Sequence, residues 1–315
     1  MAFELNGTQY ETLSEAITAA NALESATITL LSDADFSASY TITGNITLKG
    51  NHILTRSETY IGALFVINAG ATLTLDELCI NENATWEINY ETFFDYLYNN
   101  TKCTDNYLLV SYSAGPKPTT QLFNNKGTLN LLNIEIKNRY SVNKGLILCA
   151  KNSLTNIAGA HIHDCANMTN SGLVADLSAV GSIYIEEPTL IENNFVGNNH
   201  GLFKIYSSGY LYMNGGTIKH TYGCNSNGVV IGMYSGNMVM NGGLITENYG
   251  AVGVANGRNG AIYVHRNSTF VMNGGEVSNN VGGSTGGVDS QTSTVITVND
   301  GKIVNNYTTN SNYQD

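Results

Sequence analysis

Three copies of the phrase Met-Asn-Gly-Gly decide the fold of this chain. They are Met213-Asn214-Gly215-Gly216, Met240-Asn241-Gly242-Gly243 and Met272-Asn273-Gly274-Gly275, and a degenerate copy follows at Val298-Asn299-Asp300-Gly301. The asparagines of successive copies are 27, 32 and 26 residues apart. Self-similarity at such a period is typical of stacked units, each of which is too small to bury a core alone.

Weaker copies extend the repeat towards the N-terminus. Each begins with Gly, continues with alternating apolar residues and ends in a polar, Asn-rich turn, as in residues 70–75, 127–131 and 181–185. A second segment of the same kind precedes each of them, as in residues 145–149. Alternation at period two is the periodicity of a β-strand. Three short strands per unit predict a parallel β-solenoid of nine or ten turns, stacked about 4.8 Å apart.

This pattern resembles the right-handed parallel β-helix proteins of the pectin-lyase-like superfold, over residues 25–310. The Gly-Gly and Gly-Ala-Ile sequences and the Asn-rich turns are also similar to repeats of bacterial surface adhesins and polymorphic outer-membrane proteins. The resemblance implies an all-β, right-handed parallel β-helix. Lyases, hydrolases, epimerases, tailspikes and adhesins share that fold, so the fold does not name a reaction.

The domain organisation follows from where the repeat begins and where it is interrupted. We expect an N-terminal strand and capping helix over residues 1–25, a single β-helix domain over 26–310 and a tail over 311–315. An aromatic insertion at about 84–107 contains the only tryptophan, Trp86. Part of this insertion, from Tyr90 to Tyr98, is predicted to form a short helix.

Residues 12–24 carry the strongest helical pattern. Thr12 and Glu15 have the spacing of a capping box. One face of the helix is apolar and consists of Leu13, Ile17 and Ala20. We expect this helix to cover the open first turn of the solenoid, because an uncovered end exposes strand edges that promote aggregation.

Asparagine recurs seven residues after the position of Asn214, and we predict that these side chains form a ladder inside one corner of the solenoid. Asn tolerates left-handed backbone angles and bonds its own chain or its stacked equivalent. The alternative is a row of amides that contacts a glycan. The set consists of Asn83, Asn193, Asn248, Asn280 and Asn306.

Composition limits the partners and the location. The net charge is −11 and only 12% of residues are charged, which disfavours nucleic acid and anionic membrane surfaces as partners. No apolar run of 18 residues occurs, so no membrane insertion is expected. We expect an extracellular or cell-surface protein of a bacterium or phage, with no signal or anchor in this chain.

The five cysteines are scattered without a Cys-x-x-Cys pair, which argues against a zinc site, and Cys149 is expected in the core.

The outer face of one sheet is predicted to be unusually apolar. In the strands that begin with Gly, the second and fourth following residues should face the core, so the third and fifth face outward. The outward set consists of Leu148, Ala150, Ala175, Leu177, Lys204, Tyr206, Ile231, Met233, Tyr263 and His265. An exposed apolar patch indicates a covering segment, a partner or a ligand. We consider the aromatic insertion, a homo-oligomer interface, and a sugar-stacking surface made by Tyr206, Tyr263 and His265, with Trp86 as a further ligand-binding candidate.

One column of side chains is the main candidate for chemistry. Six residues after the position of Asn214, successive units carry Asp164, Glu192, His220 and Glu247. If these stand on four adjacent turns, neighbouring carboxylates lie about 4.8 Å apart. Such a pair attracts a cation or raises one pKa, and about 5 Å is also the carboxylate spacing of retaining glycosidases. Asp164 and Glu192 are therefore candidate Ca²⁺ ligands, and the four residues are candidate catalytic groups. The alternative is that they are solvated turn residues.

Other cofactors are not indicated. The Gly-His-Gly and Arg-Ile-Lys motifs of polygalacturonases are absent, and no phosphate loop is present. His161 and His163 point to the same side of a strand, as a metal pair or as surface residues. The first interpretation is therefore a non-catalytic extracellular β-helix module, adhesive or structural, that binds a glycan or a host or microbial surface protein. The alternatives are a polysaccharide lyase or glycoside hydrolase that uses the acidic column, and a phage tailspike-like receptor-binding trimer.

Overall fold

In the computed structural model, the chain coils as the repeat predicts, in about nine turns of short parallel strands. The structure describes residues 1–99, 103, 106–169, 171–177, 179–198, 200–224, 227–251 and 260–309. Strands at equivalent positions stack into three parallel sheets, named A, B and C below. The predicted all-β parallel β-helix with a short N-terminal helix is confirmed. The predicted tail, 311–315, lies outside the described residues.

Sheet A contains the Gly-led strand that precedes each Asn-Gly-Gly turn. Its parallel strands are Ser25–Leu30, Asn45–Lys49, Thr72–Asp76, Thr128–Leu132, Leu154–Ala158, Ser182–Glu186, Tyr210–Met213, Asn237–Met240, Thr269–Met272 and Val295–Val298. An antiparallel hairpin, Phe3–Leu5 with Thr8–Tyr10, pairs with the first of them and closes the edge of the sheet.

Sheets B and C complete each turn. Sheet C consists of Tyr40–Ile42, Phe65–Ile67, Phe123–Asn125, Ile147–Cys149, Ala175–Leu177, Phe203–Tyr206, Ile231–Tyr234, Ile262–Val264 and Val288–Ser290. Sheet B begins with Ala34–Phe36, Ile53–Arg56, Cys79–Asn81, Glu135–Ser141 and His161–Thr169. It then divides into two rows. One row is Leu190–Glu192, Thr217–Lys219, Leu244–Thr246, Glu276–Ser278 and Lys302–Val304. The other is Asn194–Asn198, Thr221–Cys224, Tyr249–Ala251, Val281–Gly282 and Tyr307–Thr308.

Helices are few and short. The capping helix is Leu13–Asn21, and its capping box is formed because Thr12 Oγ1 accepts from Glu15 N while the Glu15 carboxylate accepts from Thr12 N. Its apolar face is buried against the first turn. The other described helices are Tyr90–Tyr98 and Asn106–Leu109. None of the helices in the described part of the chain is long and apolar enough to cross a bilayer.

In two strands of sheet C, the side chains predicted to face outward face the core. Ala175 and Leu177, like Ile231 and Met233, point into the core and are fully buried. The reason is register, since Ile147 pairs with Ala175 and Phe203 pairs with Ile231. The leading glycine of these two segments therefore lies one position earlier than in the others, and a shift by one residue turns every side chain to the other face. Asp176 and Gly232 face outward instead, so the outer face is less apolar than predicted.

The aromatic insertion is longer than predicted and covers sheet B, not sheet C. Its strand Thr85–Ile88 pairs antiparallel with Val110–Ala114, beyond the expected end at 107. The helix between them packs Phe93 and Phe94 edge-on against tyrosines of the second row of sheet B. A disulfide between Cys103 and Cys224 joins the insertion to the same row. The expectation that the insertion covers the outer face of sheet C is therefore wrong.

The corner that divides sheet B places one residue per turn in the left-handed backbone region. These residues have φ between 48° and 55° and are Asp164, Asn193, His220, Glu247, Asn279 and Asn305. Asn and Asp adopt this conformation more readily than other residues with a Cβ, which explains why amides recur here.

Buried asparagines form a ladder behind this corner. Asn280 Oδ1 accepts hydrogen bonds from N and Nδ2 of Asn248, at 3.1 and 2.9 Å. Asn280 Nδ2 donates to the backbone oxygen of Ile245 at 3.0 Å. Asn306 Oδ1 accepts from Asn280 in the same way, at 3.1 and 2.9 Å. The structure thus places Asn248, Asn280 and Asn306 where each side chain satisfies buried backbone groups of the neighbouring turn.

Asn193 is displaced from this ladder by one residue, and Asn194 takes its place. Asn194 Nδ2 donates to the backbone oxygen of Ile162 at 3.1 Å, and its Oδ1 accepts from Cys165 N at 3.0 Å. The turn before Leu190 contains one residue more than the corresponding Asn-Gly-Gly turn, as the strand pairing on both sides of it shows. Asn83 Nδ2 donates to the backbone oxygen of Arg56 at 3.2 Å, in an earlier turn.

An ionic network lies in the core between the first turns. Glu82 accepts from Nε and Nη2 of Arg56, at 3.1 and 3.0 Å, and from Nη1 of Arg139. All three side chains are fully buried. Burial lowers the pKa of the Arg139 guanidinium, and the Glu82 carboxylate opposes that shift. The guanidinium groups also donate to backbone oxygens, among them Gly62 and Thr120.

We expect Glu82→Gln to lower the free energy of unfolding by about 3–5 kcal/mol, because two guanidinium groups then remain buried without a counter-charge. Urea unfolding followed by circular dichroism measures this change. The matched control is Glu58→Gln, since Glu58 is exposed one turn away. Equal stability of the two variants would contradict the role of the network.

The two asparagine rows of the solenoid allow a second matched test. Asn280→Ala removes the partner of buried backbone groups of Asn248 and Ile245, so we expect a loss of roughly 2–4 kcal/mol. Asn241 belongs to an exposed row, in which it donates to Asn214 at 2.8 Å, and Asn241→Ala should cost less than about 0.5 kcal/mol. Similar losses of unfolding free energy in both variants, in the same urea titration, would show that the buried ladder contributes no more to stability than the exposed row.

Candidate functional site

The outer face of sheet B gathers histidines and carboxylates from three successive turns. Glu135 pairs with His161 in the strand register, and His163 pairs with Glu192. His161 and His163 project to the same side because side chains alternate along a strand. We call Glu135, His161, His163, Asp164 and Glu192 the histidine–carboxylate cluster.

Each imidazole of this cluster is bonded to a carboxylate. His163 Nε2 lies 2.9 Å from Glu135 Oε1, and its Nδ1 lies 2.6 Å from Asp164 Oδ2. His161 Nε2 lies 3.0 Å from Glu192 Oε1. The two rings stack with their centroids 4.1 Å apart. Donor atoms of Glu135, His161 and His163 all lie within 4.8 Å of one another, so these three residues are able to hold a metal ion.

Charge pairing in the cluster shifts its pKa values. Burial alone would raise the pKa of Glu135, but hydrogen bonds from Cys79, His163 and Lys137 outweigh it and lower that pKa to about 2. The hydrogen bond to Asp164 raises the pKa of His163 against the effect of burial, and Glu135 adds to the increase. The pKa of Glu192 is lowered, because bonds from His161 and Lys219 exceed the desolvation that opposes them.

Beside the cluster lies a cavity of about 490 Å³ between the insertion and the corner of sheet B, which we call the Trp86 pocket. Its lining residues are Ala84, Thr85, Trp86, Glu87, Ile88, Tyr90, Asn138, Asp164 and Asn193. Trp86 Nε1 donates to the backbone oxygen of Asp164 at 3.0 Å, which fixes the orientation of the indole. Asp164 therefore belongs to both the pocket and the cluster. The structure brings the predicted Trp86 and Asp164 together, although they are far apart in sequence.

The predicted acidic column is not a single column. Asp164, His220 and Glu247 occupy equivalent corner positions, and His220 Nε2 lies 3.2 Å from Glu247 Oε2. Glu192 stands one position earlier, next to His163 and Lys219, because of the longer turn before Leu190. Asn193 fills the corner between Asp164 and His220. The expected stacking of the Asp164 and Glu192 carboxylates on adjacent turns is therefore wrong, and calcium binding by them remains a prediction.

The predicted sugar-stacking residues of sheet C are largely covered. Tyr263 is only 2% exposed, so its ring does not lie on an open face. Tyr206 is half-buried and stacks on Tyr234, with centroids 4.9 Å apart. His265 contacts Tyr234 and Tyr263. These side chains form an aromatic cluster on the outer side of sheet C, apart from the Trp86 pocket.

Sequence reasoning missed Glu135 and the pairing of Cys103 with Cys224. The signal for Glu135 was available, since Ile136 and Ile162 align in the repeat and the residues before them are Glu135 and His161. The disulfide joins the non-repetitive insertion to a turn 121 residues away, so no periodicity predicts it. Cys149 is buried as expected, and burial raises the pKa of its thiol to about 12.

No family model matches the chain, and neither a curated protein nor a solved structure matches it. The similarity to bacterial surface adhesins accordingly remains a prediction.

Proposed function

We propose that this protein is a non-catalytic, extracellular or cell-surface β-helix module that binds a glycan in the Trp86 pocket. The observation that carries the proposal is the composition of that pocket. An indole held in one orientation lines this pocket together with Tyr90, Asn138, Asn193 and Asp164. A sugar ring offers an apolar face to an aromatic side chain. Its hydroxyl groups can bond to amides, which donate and accept hydrogen bonds, and to carboxylates, which accept them.

The shape of the pocket also favours a small polar ligand. Its volume of about 490 Å³ falls in the range of small-molecule sites, roughly 300–1,000 Å³. Asn138, Asp164 and Asn193 come from three turns of the solenoid, while Trp86, Tyr90 and Glu87 come from the insertion. The rigid scaffold therefore holds these three solenoid residues, while the insertion closes one side.

Another aromatic surface fits a sugar less well. Tyr184 and Tyr212 on sheet A stack face to face, with centroids 4.7 Å apart and an angle of 9° between the rings. Tyr210 continues the stack on Tyr212 at 5.9 Å. Because these rings cover one another's faces, they offer mainly edges to a ligand. Among the residues that the structure describes, no aromatic ring stacks on Trp86 in this way.

The arrangement of the acidic residues supports binding without turnover. Glu192 is bonded to His161 and Lys219, and Glu247 is bonded to His220. Asp164 and Glu192 do not occupy equivalent positions on adjacent turns, so the strand register does not build the carboxylate pair that a retaining glycosidase uses.

The disulfide supports an oxidising location. Cys103 and Cys224 have Cα atoms 6.1 Å apart, a separation that disulfides ordinarily span. Disulfides persist mainly in secreted, periplasmic and surface proteins. The net charge of −11 favours a neutral or cationic glycan over an acidic one.

A glycan array with the purified chain, followed by calorimetry on the strongest ligand, tests the proposal. We expect Trp86→Ala to weaken binding by about 2 kcal/mol or more, roughly thirtyfold, because a central aromatic contact is lost. Tyr210→Ala is the matched control, since Tyr210 is an exposed aromatic residue on a different face, and it should bind as the unchanged protein does.

A reducing-end assay on the same ligand should detect no product. Release of reducing ends would favour the glycoside hydrolase alternative. Absence of any glycan ligand, or equal affinity of the Trp86→Ala variant, would contradict binding in the Trp86 pocket.

A further inference from the structure

We propose that Glu135, His161 and His163 form a binding site for a transition-metal dication of the zinc class. The three ligands do not line the Trp86 pocket, although Asp164 borders both sites, and the proposal does not depend on glycan binding. It rests on the convergence of two imidazoles and one carboxylate from neighbouring turns, with donor atoms within 4.8 Å of one another.

The strand register builds this site. Glu135 lies directly beside His161 in the adjacent turn, and His163 follows two residues later on the same face. In-register turns are about 4.8 Å apart, which brings side chains of consecutive strands within reach of one ion. Tetrahedral zinc with ligand bonds of about 2.0–2.1 Å needs donor atoms about 3.3 Å apart. The donor atoms now lie within 4.8 Å of one another, so the side chains must move closer together when the ion binds.

The donor set selects the class of metal. Two imidazole nitrogens and one carboxylate oxygen are the ligands of many zinc sites with three protein ligands. Calcium prefers six to eight oxygen ligands and does not favour imidazole. The chemistry of these residues therefore indicates zinc, or a neighbouring transition metal such as cobalt or nickel, over the calcium that the sequence suggested for Asp164 and Glu192.

Each histidine ligand is already bonded to a carboxylate that is not a proposed ligand, His163 to Asp164 and His161 to Glu192. The bond from His163 Nδ1 to Asp164 leaves His163 Nε2 as the nitrogen that faces Glu135. A carboxylate on the second ring nitrogen fixes the tautomer and orientation of a metal-binding histidine. Glu192 is bonded to His161, in the next turn, and adds negative charge near the site. Asp164 is thus a positioning residue for His163.

One cation competes for the site. Lys137 Nζ lies 3.0 Å from both oxygens of Glu135, and its side chain is partly exposed. A metal ion replaces this ammonium on at least one oxygen. Next to Glu135, a cavity of about 770 Å³ lined in part by Asp33, His52 and Cys79 leaves room for a water molecule or another fourth ligand.

Isothermal titration of the chelator-treated full chain with zinc chloride tests the site, and cobalt absorption in the visible range reports the geometry. We expect one stoichiometric site with a tetrahedral cobalt spectrum. His161→Gln and His163→Gln should each weaken zinc binding at least about 100-fold, and Asp164→Asn should weaken it about 10–100-fold. All these side chains lie on the outer face, so circular dichroism should show an unchanged fold.

The matched control is His220→Gln. His220 also pairs with a carboxylate on this side of the solenoid, two turns further on, and its loss should leave zinc affinity within about twofold. Lys137→Met removes the ammonium that contacts Glu135 but leaves all three proposed ligands in place, and it should raise the zinc affinity severalfold. A tenfold excess of calcium should not displace zinc.

Several results would overturn the assignment. They are the absence of a stoichiometric zinc site, a zinc affinity in His161→Gln or His163→Gln equal to that of the unchanged protein, and a loss of affinity in His220→Gln as large as in those two variants. Unchanged or weaker binding by Lys137→Met would contradict competition between Lys137 and the metal ion at Glu135. Displacement of zinc by calcium would indicate an oxygen-only site.

Discussion

In-register stacking of one turn on the next is the constraint on which the rest of this structure depends. Each strand of the three parallel sheets bonds to the equivalent strand of the adjacent turn, so a side chain in the interior meets its equivalent about 4.8 Å away. Apolar side chains pack on their equivalents without any further requirement. Polar groups satisfy it only when they pair along the column, as Asn248, Asn280 and Asn306 do, or when opposite charges meet, as Glu82 does with Arg56 and Arg139. The same stacking brings Glu135 beside His161 on the outer face.

The sequence was sufficient for the fold because repetition and alternation are local signals. The Met-Asn-Gly-Gly copies and their degenerate copy mark the ends of the last four sheet A strands, and the capping box at Thr12 and Glu15 marks the first helix. Register between turns was less predictable, since it depends on the length of every turn. A single additional residue before Leu190 moved Glu192 out of the corner and put Asn194 in the ladder in place of Asn193. In the same manner, a leading glycine that lies one position early puts the side chains of two sheet C strands on the face opposite to the one predicted.

The candidate site was only partly predictable, for a physical reason. Trp86 and Asp164 were each singled out from sequence, but their contact depends on how the insertion folds back over sheet B, and the insertion does not share the repeat. Its position is set by Phe93 and Phe94 against stacked tyrosines and by the Cys103–Cys224 disulfide. The histidine–carboxylate cluster, by contrast, lies on repeat strands. Correct alignment of Ile136 with Ile162 is enough to place Glu135 beside His161.

Disulfide trapping between adjacent turns tests the central claim most directly. Asn214 and Asn241 are exposed equivalents in neighbouring turns, so cysteines introduced by Asn214→Cys and Asn241→Cys should have Cα atoms about 4.8 Å apart, within disulfide range. Mild oxidation and peptide mass spectrometry should find this crosslink in nearly all molecules. The pair Asn214→Cys with Asn273→Cys spans two turns, about 9.6 Å, and should remain reduced. Crosslinking of the second pair but not the first would contradict the stacking of these turns.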